Sequence, residues 1–154
     1  MDLSFKFGND KLNIRVGALI IKDGKLLIAH SARPYWHTIG GRIHLGESSE
    51  QAVVRECLEE TGQQFEIDRL AYVTETFFNE EASGNRFHEM CFYYFMKPNG
   101  TEDLIGTTFS EGEETEKMGW FDIETLDEVD LRPSFLAKEL NNVEDGIKHI
   151  TLIQ

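Results

Sequence analysis

Hydrophobic and polar positions change period several times along the chain, and each change marks an element. Leu12 to Ile21, "LNIRVGALII", is mostly apolar, and after "KDGK" the run "LLIAHS" is apolar again. These read as two strands joined at Asp23-Gly24, a dipeptide that accepts the positive φ of a tight hairpin. Residues 34–47, "PYWHTIGGRIHLGE", are punctuated by glycine and read as a loop, or a loop with a short strand. From Ser48 the period becomes helical. At about 100° per residue, Val53, Val54, Cys57, Leu58 and Thr61 gather on one side and Glu56, Glu59 and Glu60 on the other. Ser48 with Gln51 offers a capping box and Gly62 a stop, so the spacing predicts a helix of about 13 residues between them.

Two further segments, "FEIDRLAYVTETFFN" and "RFHEMCFYYFMK", are rich in aromatic and β-branched residues and flank the turn-like "EEASGN". They read as a long antiparallel pair, and His88 and Glu89 within the second as ordinary strand residues. "PNGTEDLIGTTFSEGEETE" reads as a polar loop, "KMGWFDI" as a short strand, "RPSFLAKELNN" as a helix with Pro133 near its start, and "HITLIQ" as a last strand. Hairpins with two separated helices, in place of repeating βαβ units, imply a mixed-sheet α/β or α+β sandwich. One domain over residues 1–154 is expected.

Composition narrows the partners. A 40% hydrophobic and 28% charged chain is typical of globular proteins. A net charge of −13 argues against a nucleic acid polymer, whose affinity comes mainly from Lys and Arg neutralising phosphates. The amino-terminal residues build no uninterrupted apolar stretch and no run suffices to span a bilayer, so a cytoplasmic location without membrane contact is expected. Cys57 and Cys91 lie in patterned segments and read as buried, reduced thiols. A small phosphorylated substrate is compatible with this charge if a cation mediates.

The acidic helix invites that cation. Glutamates at helical neighbour spacing repel, whereas clustered carboxylates suit Mg²⁺, or Mn²⁺ in its place, shared with substrate phosphates. A solvated acidic face is the alternative. The spacing weighs between them: Gly41, five residues, Glu47, seven residues, then "RECLEETG". This resembles the Nudix hydrolase signature at all seven fixed letters, Gly41, Glu47, Arg55, Glu56, Glu59, Glu60 and Gly62. Average residue usage puts a chance match on the order of one in a million. Three packing positions differ from the family pattern, with Gln63 after the last glycine, Cys57 at the aliphatic position between "RE" and "EE", and Ile39 where proline is common.

The resemblance to the MutT-like Nudix hydrolases implies an α/β/α sandwich with a mixed β-sheet flanked by helices. It implies Mg²⁺-dependent attack of water on the pyrophosphate of a nucleoside diphosphate linked to another group. Glu56, Glu59 and Glu60 would ligate metal, with a backbone carbonyl of Gly40 or Gly41; Arg55 would orient the glutamates and Glu47 support them. For the general base, Glu114, six residues before Trp120, stands against a box glutamate. Arg15, interrupting an apolar strand, either faces substrate phosphate or lies at a solvated edge, since buried arginines are rarely unpaired. Arg33, Tyr35 and Trp36 precede the box, where an aromatic ring could stack on a base or belong to the core. The expected partners are a small nucleotide and, for a homodimer, a second copy of the chain. A catalytically silent nucleotide-binding module and an acidic scaffold are the competing functions; retention of every box glutamate favours the enzyme. Phe77, Phe78 and Asn79 match neither an ADP-ribose nor a dinucleoside polyphosphate subclass, which leaves a nucleoside triphosphate as the default substrate.

Overall fold

The computed structural model describes residues 1–31, 33–99, 108–111 and 114–154, and side chains over these residues apart from 108–111 and 114–116. The order of elements is β1 (Ser4–Phe7), β2 (Asp10–Lys22), β3 (Lys25–His30), β4 (Trp36–Arg42), α1 (Ser49–Thr61), β5 (Glu66–Glu80), β6 (Asn85–Lys97), β7 (Thr108–Glu111), β8 (Glu114–Asp122), a 3-10 turn (Ile123–Glu128), α2 (Phe135–Glu139) and β9 (Lys148–Ile153). The strands form one mixed sheet ordered β7-β8-β3-β4-β2-β6-β5-β9, with β1 added to β2. Strand β2 is its centre. It runs parallel to β6 from Asp10 to Ile20 on one side and meets β1, β4 and β3 in succession on the other.

Each face of the sheet buries a core. Val53, Cys57 and Ala52 of α1 join Ile20, Leu27, Ile39, Phe65 and Tyr94 in one; Leu136 and Leu140 near α2 join Leu19, Leu26, Ile28, Tyr72 and Tyr93 in the other. The result is a mixed β-sheet flanked by helices. No helix among the described residues is long and apolar enough to cross a membrane. Cys57 and Cys91 are free, buried thiols, each with its pKa pushed up to about 12 chiefly by burial.

Helix α1 starts and stops where its caps require. Ser48 Oγ accepts from Gln51 N while the Gln51 side chain accepts from Ser48 N, and Gly62 closes the helix at φ 74°, a conformation costly for other residues. Its orientation corrects the expected faces. The buried side consists of the row Val53, Cys57, Thr61 and the adjoining row Ala52, Glu56, Glu60, whereas Leu58 is 50% exposed. Two of the three glutamates therefore face the sheet, and only Glu59 projects to solvent.

The glycine-punctuated segment takes the second of its two expected forms, a loop with a strand, β4, set between β3 and β2. Other expectations change. The polar stretch before residue 117 contains β7 and the start of β8, paired Glu111 to Glu114. Helix α2 is five residues long, because Asn141 Nδ2 turns back to donate to Ala137 O and Ile123 O. Strand β1 and the 3-10 turn have no counterpart in the hydrophobic pattern.

Candidate active site

One arginine organises the acidic end of α1. Arg55 Nε donates to Glu47 Oε1 at 2.6 Å and Nη2 to Glu47 Oε2 at 3.0 Å, a two-pronged pair. Its Nη1 donates to Glu56 Oε1 at 2.9 Å and to Glu59 Oε2 at 3.2 Å, and Nη2 also reaches Arg42 O at 3.0 Å. Glu47 accepts from His44 N at 2.9 Å, which fixes the loop ahead of the helix. The bond to Arg55 holds the Glu47 carboxyl below its usual pKa, and the bond to Glu47 raises that of Arg55.

Glu56 and Glu60 meet strand β4. A Cβ on Gly41 would collide with the Glu56 carboxylate, so glycine is what permits the approach. Glu60 Oε1 accepts from Gly40 N at 3.3 Å. Burial raises the pKa of Glu56 in spite of Arg55, so further positive charge is favourable there. Among the described residues no three acidic, imidazole or thiol groups are placed to hold a metal by themselves. A closed zinc-type cage is therefore not offered. An ion of the Mg²⁺ kind, which takes one or two carboxylates and completes its shell with water and substrate phosphate, fits this open set of oxygen donors beside the Gly40 and Gly41 peptides.

Gly40 also lines a cleft of about 500 Å³ over the neighbouring face of the sheet. In a strongly acidic chain this cleft collects five cations, Lys11, Arg15, Arg33, Arg42 and Arg132, against the carboxylates Glu80 and Glu89. Arg15 lies mid-sheet, between Arg42 on β4 and Cys91 on β6, so it is at no sheet edge. It has no ion-pair partner among the described residues, yet its charge is felt at Glu56.

The remaining candidates separate. Arg33 Nη1 donates to Tyr35 OH at 2.7 Å, which raises its pKa, and Arg132 sits 4.9 Å over the Tyr35 ring, so these three form a wall of the cleft. Trp36 does not join them. Its ring packs edge-on against Phe121 at 4.7 Å and near His30 at 5.1 Å, in the core on the α2 side, so of these two neighbours Tyr35 and not Trp36 is presented to the cleft. The Glu114 side chain lies outside the described residues.

Sequence reasoning missed several groups in the cleft: Lys11, Arg42, Arg132, the stacked pair Phe78 and Phe87, and Glu89 with its partner Asn13. Strand alternation could have placed Asn13 and Arg15 on one face, but the partnership of β2 with β6 is nonlocal.

The NUDIX domain profile matches residues 11–140. The ADP-ribose pyrophosphatase of Methanocaldococcus jannaschii is 26% identical over 137 residues, 86% of this chain and 75% of that protein. A putative 8-oxo-dGTP diphosphatase of Bacillus subtilis is 54% identical over 37 residues, 24% of this chain and 25% of that one. The matched stretches thus span from a quarter to three quarters of these relatives' lengths. Among solved structures, a MutT NUDIX hydrolase from Burkholderia pseudomallei superposes with a TM-score of 0.65 at 26% identity, covering 86% of this chain and 98% of that one. A UDP-X diphosphatase shares the fold with a TM-score of 0.62 at 21% identity, over 89% and 66%. With the profile spanning most of its length and the signature residues gathered around α1, the chain belongs to the Nudix family.

Proposed function

We propose that this chain is a divalent-cation-dependent hydrolase that splits the pyrophosphate of a nucleoside diphosphate joined to another group, with Mg²⁺ or Mn²⁺ as the ion and a nucleoside triphosphate as the default substrate. One observation carries the reading. The Gly40-Gly41 strand carries the cationic cleft at Gly40 and has the half-buried carboxylates Glu56 and Glu60 against its peptides, and Arg15 of the cleft is within electrostatic reach of Glu56. Names of relatives that hydrolyse nucleotide anhydrides support it.

In this reading Arg15 and Arg42 hold the diphosphate and set the reacting phosphorus near the end of α1. Glu47 fixes Arg55, and Arg55 fixes Glu56 and Glu59; Glu47 and Arg55 are positioning residues. A bound divalent ion supplies neutralisation of phosphoryl charge and a more acidic water. The water oxygen bonds to phosphorus, the bridging P–O bond breaks, the leaving phosphate keeps that electron pair, and a carboxylate takes the water's proton. Glu114 is the proposed acceptor, with a box glutamate as its competitor. If Glu114 has the role, Glu114→Gln lowers kcat by about 10² to 10⁴; a near-normal kcat transfers the role to the box.

The test is a panel of nucleoside triphosphates, ADP-ribose and a UDP-sugar incubated with Mg²⁺, with products identified. Hydrolysis should vanish with EDTA and return with Mg²⁺ or Mn²⁺. Undiminished turnover in metal-stripped protein would remove the cation from the reading, and inertness to the whole panel would remove the enzyme.

A further inference from the structure

The cleft floor is laid out in rows. Cross-strand register sets Arg42, Arg15 and Cys91 in one row, Asn13 and Glu89 in the next, and Lys11, Phe87 and Phe78 in a third. Successive rows on one face of a sheet are about 7 Å apart. The first is cationic and adjoins Gly40. The third holds a flat aromatic pair, Phe78 and Phe87 stacked at 4.8 Å with 4° between their planes. Between them stands a carboxylate.

An acid in an anion-binding cleft repels the phosphate it adjoins, so a neutral hydrogen-bond donor of the ligand suits it better than a further phosphate oxygen would, even with Arg33 within its electrostatic reach. Glu89 is held in place. Asn13, 1% exposed, donates Nδ2 to Glu89 Oε2 at 2.7 Å, and its Oδ1 accepts from Ser4 Oγ at 2.6 Å. No donor among the described residues reaches Glu89 Oε1. The order cation, acceptor, aromatic matches the order phosphate, sugar, base along a nucleotide. Building on the hydrolase reading above, we propose that Glu89 is a specificity-determining residue that accepts hydrogen bonds from the ribose hydroxyls of the substrate. The site then selects ribonucleoside over 2′-deoxyribonucleoside diphosphate derivatives.

Binding tests this without turnover. ADP, 2′-deoxy-ADP, GDP and inorganic pyrophosphate are titrated calorimetrically, with Mg²⁺, into the full chain and into Glu89→Ala. The wild type should bind ADP about tenfold or more tightly than 2′-deoxy-ADP, because losing the 2′-hydroxyl removes one hydrogen bond to a charged acceptor. In Glu89→Ala the two affinities should converge to within about twofold, while pyrophosphate binds as well or better because an acid has left the cationic cleft. Glu89→Gln is the isosteric second variant. It gives its one oxygen to Asn13 and turns a neutral NH₂ to the cleft, which can only donate to a hydroxyl, so the preference for ADP should shrink to a few-fold without vanishing.

Equal binding of ADP and 2′-deoxy-ADP by the wild type, or no binding of ADP, would overturn the proposal. So would variants that change the GDP to ADP ratio but keep the full ribose preference, which would assign Glu89 to the base. The catalytic reading fails separately: hydrolysis without ribose discrimination sinks only this inference, and ribose-dependent binding without hydrolysis sinks only the enzyme.

Discussion

Arg55 and Arg15 lie on either side of the Gly40-Gly41 strand, both partly buried and both within electrostatic reach of Glu56, yet they are used in opposite ways. Arg55 spends its donors on Glu47, Glu56, Glu59 and the Arg42 carbonyl. Arg15 has no ion-pair partner among the described residues and opens onto the cleft. A charge answered within the protein holds other groups still, whereas a charge left unanswered costs desolvation until a ligand answers it. The box is thus preorganised, and the cleft floor is incomplete until an anion arrives.

The largest effect should come from breaking the acidic side. Glu60→Gln removes a charge with almost no change of shape, so the chain should fold while kcat falls by more than about 10². Its melting behaviour is more discriminating. Without metal the variant should match or slightly exceed the wild type, since repulsion from Glu56 is relieved by a few tenths of a kcal/mol. With Mg²⁺ the order should reverse, because only a ligand bound to the folded state stabilises it. The same small shift in both conditions, with activity within about threefold of wild type, would return the helix to a solvated acidic face.

A smaller pair of effects separates the two arginines. Arg55→Met leaves Glu47 with only a backbone donor and frees Glu56 and Glu59, so kcat should fall about 10- to 100-fold, as when a ligand-orienting group is lost. Stability should fall by about 1 to 2 kcal/mol, discounted for partial exposure. Arg15→Met should leave the nucleotide-free melting temperature unchanged or higher, since an unanswered cation is gone. Its cost should appear in KM, raised about tenfold, with kcat held to within a few-fold. A drop in stability for Arg15→Met, or a pure KM effect for Arg55→Met, would break the division of labour.

What the sequence made legible follows the same line. Helix α1 could be bounded to the residue because its stop and start are local: Ser48 with Gln51, and Gly62. The β2–β3 hairpin and the β5–β6 pair were equally legible from a turn dipeptide and two aromatic runs. The facing of α1 was not, because glutamates at Glu56 and Glu60 look like a solvent side until the glycines of β4 are seen to make room for them. Strand β4 was legible only as one of two alternatives for the same reason: Gly40 and Gly41 weaken a strand pattern while serving the close approach of their neighbours. The cleft was least legible, since Asn13 and Glu89 are joined across 76 residues and Arg132 reaches Tyr35 from the far side of the 3-10 turn.

The smallest effect concerns His37, which lines the cleft beside Arg15 and Arg33. Its Nδ1 donates to Thr38 O at 2.9 Å, and its pKa is lowered, first by burial and then by Arg15, Arg33 and His30. The sign follows from linkage. With a folded pKa below the unfolded value of about 6.5, the unfolded chain binds more protons between the two, so stability falls as pH drops through that window and is independent of this group above it. The wild-type melting temperature should therefore decline more steeply from about pH 7.5 to pH 5.5 than that of His37→Gln. Pyrophosphate bound in the cleft brings negative charge toward His37 and raises its folded pKa, so saturating pyrophosphate should flatten the wild-type decline and leave the His37→Gln curve nearly parallel to its ligand-free form. Equal pH slopes for wild type and variant would remove His37 from the pH response. A wild-type slope that pyrophosphate does not change would mean that the anion settles away from Arg15 and Arg33, and the contrast between a satisfied box and a waiting cleft floor would fail at its smallest and most local measure.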